Sequence, residues 1–297
     1  MKKKLVSIII NCLNGEKYLQ QAINSVLNQK YKNFEVIFID NCSNDNSALI
    51  YKKVKDKRFK YFKTKKKIKL YESRNLALKK VKGNYIAFLD TDDWWNKNFL
   101  SSRQKFFLSD KKFGFSFSNC FHFYENTNKF KIFSKKKLPT GYILNDLLKY
   151  YFVKLSTIII KKEMLKNYKF NPFYNIIGDF DFIIKISKRY KGMSFQDNLV
   201  NIRIHKNNFT HTNRKMFYNE FKHWVNNQDF SDFYFNQNRE FLFDKLEYLR
   251  LVYLLLENKK FGLLLDIIKF PQYFYKIKLL IIFFIPNFIL RLKKEHF

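Results

Sequence analysis

Residues 86–95 read Ile86-Ala87-Phe88-Leu89-Asp90-Thr91-Asp92-Asp93-Trp94-Trp95. An apolar run of strand length delivers three carboxylates within four positions. Such a run, apolar on both faces, suits a strand of an open α/β sheet, and ligands of those sheets bind beyond the strands' carboxyl ends. Three crowded acids repel one another, and a divalent cation relieves the repulsion. Mg²⁺ and Mn²⁺ take oxygen ligands, often one or two carboxylates plus substrate phosphates. The same letters also suit a polar turn and a capped helix start. Trp94 and Trp95 could stack on a sugar face or fill a core.

A further acid, Asp40, closes another mostly apolar run, Phe34-Glu35-Val36-Ile37-Phe38-Ile39. A carboxylate there can accept from a base N–H or a ribose hydroxyl, as in dinucleotide folds, or it can close an Asx-turn. The chain has neither G-x-x-x-x-G-K-[ST] nor G-x-G-x-x-G, which disfavours a Walker NTPase and an NAD(P) enzyme. A nucleotide diphosphate would then need a cation in place of a glycine cradle.

The elements that must position these acids alternate. Strands are expected at 5–10, 34–39, 58–63 and 84–89, and helices at 15–29, 46–55 and 70–81. That order predicts βαβ units and a mostly parallel sheet. Further on, helices are expected near 97–109, 143–151 and 179–189. Strands are expected at 113–121 and 156–161, with two short ones within 193–204. Beyond about 213 the pattern turns helical and aromatic.

Length and charge bound the reading. The chain has 297 residues, 46% of them hydrophobic, with only 7 Gly and 4 Pro. That is enough for one large α/β domain with an appendage and no long linker. Cys12, Cys42 and Cys120 have no zinc or redox spacing and read as free thiols in a reducing compartment. The apolar run Leu5 to Ile10 is too short for a signal peptide. A net charge of +32 attracts polyanions. The lysines spread along the whole chain, with local peaks at 63–69 and 131–137, and no nucleic-acid-binding signature accompanies them.

Ordered motifs then resemble one family. Val6-Ser7-Ile8-Ile9-Ile10-Asn11-Cys12-Leu13-Asn14, Ser25-Val26-Leu27-Asn28-Gln29, Phe34 to Ser43, Ser73-Arg74-Asn75-Leu76-Ala77 and the acid triplet look like the family 2 inverting glycosyltransferases. The likeness is dense over 5–107 and looser over 156–205. It implies a GT-A fold, Rossmann-like, with a nucleotide-sugar donor and Mn²⁺ or Mg²⁺. It sets Asn11, Leu13, Asp40, Arg74, Asp90, Asp92 and Arg203 against the nucleotide. It gives the metal to Asp92 and Asp90, with Asp93 supporting and His205 as a further ligand. Asp179, in Gly178-Asp179-Phe180-Asp181-Phe182, matches the catalytic base, and Asp181 is a second candidate. Gly178 stands where the family has an acid, Asn11 where Pro is frequent, and Asn41 where a second acid is frequent. Arg203-Ile204-His205 matches the family's R-x-H, and on a strand residues 203 and 205 share a face.

The implied organisation is a GT-A domain over 1–212, with a nucleotide half (1–95) and an acceptor half (96–212). A helical, basic-aromatic region follows over 213–297. Its run Leu279 to Leu290 is too short and interrupted to span a bilayer. Flanked by Lys276, Lys278, Arg291, Lys293 and Lys294, it suits an anchor on a membrane surface, or a helix pair closing a core or a dimer. The expected function is metal-dependent transfer from a UDP-sugar to a glycan or lipid-linked glycan, in surface polysaccharide or glycoconjugate assembly. The expected place is the cytoplasm, at the inner face of the membrane. A basic nucleic-acid-binding module and a catalytically silent, membrane-associated scaffold of the same fold are the alternatives.

Overall fold

The computed structural model describes residues 4–257, 259–260 and 262–285. It divides the chain into two compact units, Met1–Ile204 and His205–Phe297.

The first unit runs β1 (Val6–Cys12), α1 (Glu16–Leu27), β2 (Phe34–Asp40), α2 (Ser47–Lys52), β3 (Phe59–Lys63), α3 (Leu70–Leu78) and β4 (Tyr85–Phe88). It continues with β5 (Trp94–Trp95), α4 (Gln104–Phe107), β6 (Phe113–Ser118), β7 (Phe121–Tyr124), β8 (Lys129–Ile132) and α5 (Leu144–Lys149). It ends with β9 (Ile159–Lys161), α6 (Gly178–Ser187), β10 (Lys191–Phe195) and β11 (Val200–Ile204). Seven strands form one sheet in the order β10-β6-β9-β4-β1-β2-β3. Only β9 runs antiparallel to its neighbours. The β-branched runs in β1 and β2 are buried on both faces, as a helix-covered parallel sheet requires.

The order reverses between β1 and β4, so a crevice opens beyond their carboxyl ends. Cys12 lies opposite Asp40, and Ile9 opposite Phe88. Carried on two residues, that register brings Asp90 level with Asn11. The sheet therefore delivers Asp40, Asn11 and the acid triplet to one edge.

A second sheet, β5-β11-β7-β8, was not expected. The strand expected over 113–121 splits because the buried Asn119 turns the chain from one sheet to the other. Its Oδ1 accepts the amides of Cys120 and Ser134, and its Nδ2 donates to the Ser134 carbonyl at 2.7 Å. The basic cluster near 131 begins within β8, whose residues are all exposed.

The helix expected over 97–109 is a short 3₁₀ turn followed by α4. Arg103 explains the break. It is fully buried between the Phe99 and Phe195 rings and donates twice to Asp197, at 2.7 and 2.9 Å. Asp197→Ala leaves this guanidinium buried without its counter-charge. The expected cost is about 3–5 kcal/mol, read as a lower urea midpoint with an unchanged slope. A loss below about 1 kcal/mol would mean that water serves the arginine well enough.

The second unit holds α7 (Phe209–Thr212), α8 (Arg214–Asn226), α9 (Phe233–Gln237), α10 (Arg239–Leu256), α11 (Leu263–Ile268) and α12 (Tyr273–Phe284). The first unit ends at Ile204. β11 ends there, and α7 leads into α8 through Asn213, whose side-chain amide caps Phe209 O while its carbonyl accepts the Phe217 amide. Leu251, Leu255, Ile267, Leu279 and Ile282 form this unit's own core. Residues 286–297, with Arg291, Lys293 and Lys294 and the end of the run expected as an anchor, lie outside the described residues.

Candidate active site

The acids emerge from β4 into a loop held from several directions. Arg74 of α3 donates to Asp90 Oδ1 at 2.7 Å, with the arginine almost wholly buried and the carboxylate half exposed. The Asp90 amide donates to Ser156 Oγ at 3.2 Å. Ser156 in turn donates to Asp93 Oδ2 at 2.6 Å, and the Arg203 amide donates to Asp93 Oδ1 at 3.0 Å.

Asp93 is thus buried with both oxygens occupied. It fastens the loop to β11 and to the 155–157 turn. Burial, followed by the charges of Asp92 and Asp90, pushes its carboxyl well above the usual range. Asp90 moves upward for the same first reason, while the Arg74 charge pulls it back.

Arg203 contacts the same loop. Its Nε donates to the Asp92 carbonyl at 3.0 Å, and its Nη2 donates to Gln21. Its guanidinium lies over Tyr18 and Trp94, at 4.4 and 4.7 Å from the ring centroids. The side chain is buried, so it holds the acid loop in place. β11 stops at Ile204, so the strand alternation ends before His205. His205 belongs to the second unit, where its Nδ1 accepts the Asn207 amide at 3.3 Å.

The two tryptophans part ways. Trp95 is core, packed on Phe99 with its indole N–H on Ser156 O at 2.8 Å. Trp94 is half-buried, edge-on to Phe123 and beneath Arg203.

At the end of β2, Asp40 is fully buried. Its Oδ1 accepts the Ser43 amide at 2.8 Å, and its Oδ2 accepts the Tyr61 hydroxyl. Burial and the Asp40 charge push the Tyr61 phenol far up, so it remains a donor. Asp40 therefore shapes the 41–43 turn, and a base N–H would have to share one of its oxygens. Asn41 ties this turn to Ile68 through both its amide groups. Asn11 donates to Ser73 Oγ at 2.7 Å, and Leu13 is exposed just beyond β1.

Asp179 lies in the first turn of α6, and its Oδ1 accepts the Tyr71 hydroxyl at 3.2 Å and the Phe180 amide at 2.9 Å. Its charge acts on both Arg74 and Asp90. Asp181, the alternative base, is buried and paired with Lys185 at 2.7 Å. Arg74, Asp90 and Asp179 are thus one electrostatic group. Among the described residues no three His, Cys, Asp or Glu side chains form a metal cluster. Asp90 and Asp92 are oxygen donors that suit Mg²⁺ or Mn²⁺ completed by substrate phosphates. Ser156, Gln21 and Tyr71 carried no signal in the sequence, because each acts through partners distant along the chain.

A family model described as "Glycosyl transferase family 2" matches residues 7–186. The chain belongs to this family. The relatives of this family 2 member include the UDP-Glc:alpha-D-GlcNAc-diphosphoundecaprenol beta-1,3-glucosyltransferase WfaP of Escherichia coli. It is 36% identical over 167 residues, 56% of this chain and 64% of WfaP. An uncharacterized glycosyltransferase of Methanocaldococcus jannaschii is 31% identical over 244 residues, 77% of this chain and 83% of that protein. Among solved structures, S. aureus TarS 1–349 aligns with a TM-score of 0.60 at 18% identity, covering 88% of this chain and 76% of TarS. A mannosyltransferase of Pyrobaculum calidifontis, in complex with GDP-Man and Mn²⁺, aligns at 0.62 and 14% identity, covering 98% of this chain and 88% of its own. The fold is GT-A, with its mostly parallel sheet and helical C-terminal part.

Proposed function

We propose that this family 2 member transfers a sugar, with inversion, from a UDP-sugar to a hydroxyl of a glycan or lipid-linked glycan in surface polysaccharide or glycoconjugate assembly. One observation carries the reading: Arg74 pairs with Asp90 of the acid loop and lies over Tyr71, whose hydroxyl donates to Asp179. Family membership favours a transferase over a basic nucleic-acid-binding module. WfaP's name, with a UDP-Glc donor and a diphosphoundecaprenol-linked acceptor, supports the choice of donor and acceptor class.

Asp92 and Asp90 would hold a divalent cation together with the donor's diphosphate. Bound there, the cation meets the charge of the leaving group. Asp179 takes the proton of the acceptor hydroxyl as that oxygen attacks the anomeric carbon. The carbon–oxygen bond to the diphosphate breaks with its electron pair, and the configuration inverts. Arg74 keeps Asp90 oriented, and Arg203 with Asp93 keeps the loop in place. Titrating UDP-glucose, UDP-N-acetylglucosamine and GDP-mannose with and without Mn²⁺ tests the reading. A UDP-sugar should bind only with the cation, and it should turn over. If none binds, the reading fails; binding without turnover would favour the silent scaffold.

The membrane surface is the proposed location, at the inner face of the cytoplasmic membrane. Among the described residues no helix is long and apolar enough to cross a membrane. α12 instead exposes Tyr273, Ile277, Ile281 and Phe284 along one stripe, with Phe274 beside it. Leu279 and Ile282 on its other face join the core. Residues 259–285 contain five lysines and one acid, Asp266, which is paired with Arg250 at 2.9 Å. An apolar stripe with cationic flanks matches an anionic lipid surface. A two-fold dimer through this face would gather the Lys276 and Lys278 charges of both copies in one interface. Replacing Tyr273, Phe274, Ile281 and Phe284 together by Ser should weaken sedimentation with equimolar phosphatidylethanolamine–phosphatidylglycerol vesicles about tenfold or more. Unchanged sedimentation would overturn the assignment, as would a wild-type dimer in ultracentrifugation that the four substitutions dissociate.

A further inference from the structure

We infer that Tyr71 is the positioning residue of the proposed base, and that it stands in for side-chain bulk that Gly178 lacks. The inference rests on the reading of Asp179 as the base. Tyr71 sits in the first turn of α3 and is almost fully buried. Its ring lies against Gly178 so closely that a Cβ there would come within 2.5 Å of ring carbons. An acid at 178 and this tyrosine are therefore mutually exclusive. Phe170 stacks on the ring at 5.5 Å, and the Arg74 guanidinium lies 5.1 Å from its centroid.

The hydroxyl faces two acceptors. It reaches the Ile176 carbonyl at 2.8 Å and Asp179 Oδ1 at 3.2 Å. A phenol has one proton to donate and lone pairs to accept with. While Asp179 is a carboxylate, the O–H can turn to it. Once Asp179 has taken the acceptor's proton on Oδ2, its Oδ1 is a neutral, weaker acceptor, and the O–H can turn to Ile176. One buried group thus serves the base in both protonation states. With Tyr71 and the Phe180 amide both on Oδ1, Oδ2 meets no donor among the described residues. One oxygen is anchored and the other is left for the acceptor hydroxyl. Asp181 is instead buried, with its Oδ2 ion-paired to Lys185 of the same helix.

The test is a double-mutant cycle on the full chain, read as UDP release from UDP-glucose with Mn²⁺. Tyr71→Phe keeps the ring and removes the hydroxyl. It should lower kcat about tenfold, the scale of one hydrogen bond to a charged group, with donor KM within about twofold. In an Asp179→Asn background the same change should cost nothing further. Gly178→Ala, whose added Cβ drives the ring aside, should reproduce the kcat loss with the hydroxyl still present. An equal loss in both backgrounds would make Tyr71 a packing residue only and overturn the inference. A silent Tyr71→Phe beside a collapsed Asp179→Asn would overturn the inference and leave the base assignment standing. A near-normal Asp179→Asn would remove both.

Discussion

Asp92→Asn is expected to abolish cation-dependent binding of UDP and to leave the fold intact. The substitution removes a charge and almost no volume. The loop that carries Asp92 is fastened by other groups: Asp93 on Ser156 and the Arg203 amide, Asp90 on Arg74, and Arg203 Nε on the Asp92 carbonyl. Loss of a group that merely supports a metal ligand costs about 10–100-fold in affinity. Loss of the ligand itself should reach at least about a hundredfold. Calorimetry with UDP and Mn²⁺ measures it, with thermal unfolding as the control for the fold. Asp93→Asn should behave differently. Its oxygens are buried and shared between two donors, so it should lower the unfolding temperature as well. Wild-type, Mn²⁺-dependent affinity in Asp92→Asn would remove this residue from the cation site.

The second large effect concerns the proton. Asp179→Asn keeps the Oδ1 acceptor for Tyr71 and the Phe180 amide but cannot accept the acceptor's proton. Transfer should fall about a hundredfold or more, the scale of a lost general base, while donor affinity stays within a few-fold. Asp181→Asn is the internal control. It breaks the Lys185 pair inside α6 and should leave transfer near normal. A collapsed Asp181→Asn with a healthy Asp179→Asn would move the base by two residues. Near-normal rates in both would take the start of α6 out of the mechanism.

Much of the first half was legible before any coordinates. The run β1-α1-β2-α2-β3-α3-β4 follows from local periodicity, and each strand that brings an acid to the sheet edge is a mostly apolar segment. Such patterns are written within a dozen residues. The second sheet was not legible. β5 has two residues, and all of β8 is exposed, so neither carries a burial pattern. The partner of β5 also lies far away in sequence, with Trp94 opposite Asn201. The broken helix near 103 had the same cause, an arginine drawn into the core by Asp197.

By itself, the order of residues determined the strand–helix alternation, the family, and the arrival of Asp40 and the acid triplet at one sheet edge. Tertiary structure alone distinguished chemically identical neighbours. Asp93 became an anchor because Ser156 and Arg203 converge on it, while Asp90 remained half exposed beside Arg74. Asp179 met Tyr71 and Asp181 met Lys185 because successive helix positions two apart point in different directions. Trp95 was taken into the core, and Trp94 was left under Arg203. The physical reason is one of range. Periodicity and register are set by neighbours along the chain, whereas the task of an individual carboxylate is set by donors that folding brings to it from sixty to more than a hundred residues away.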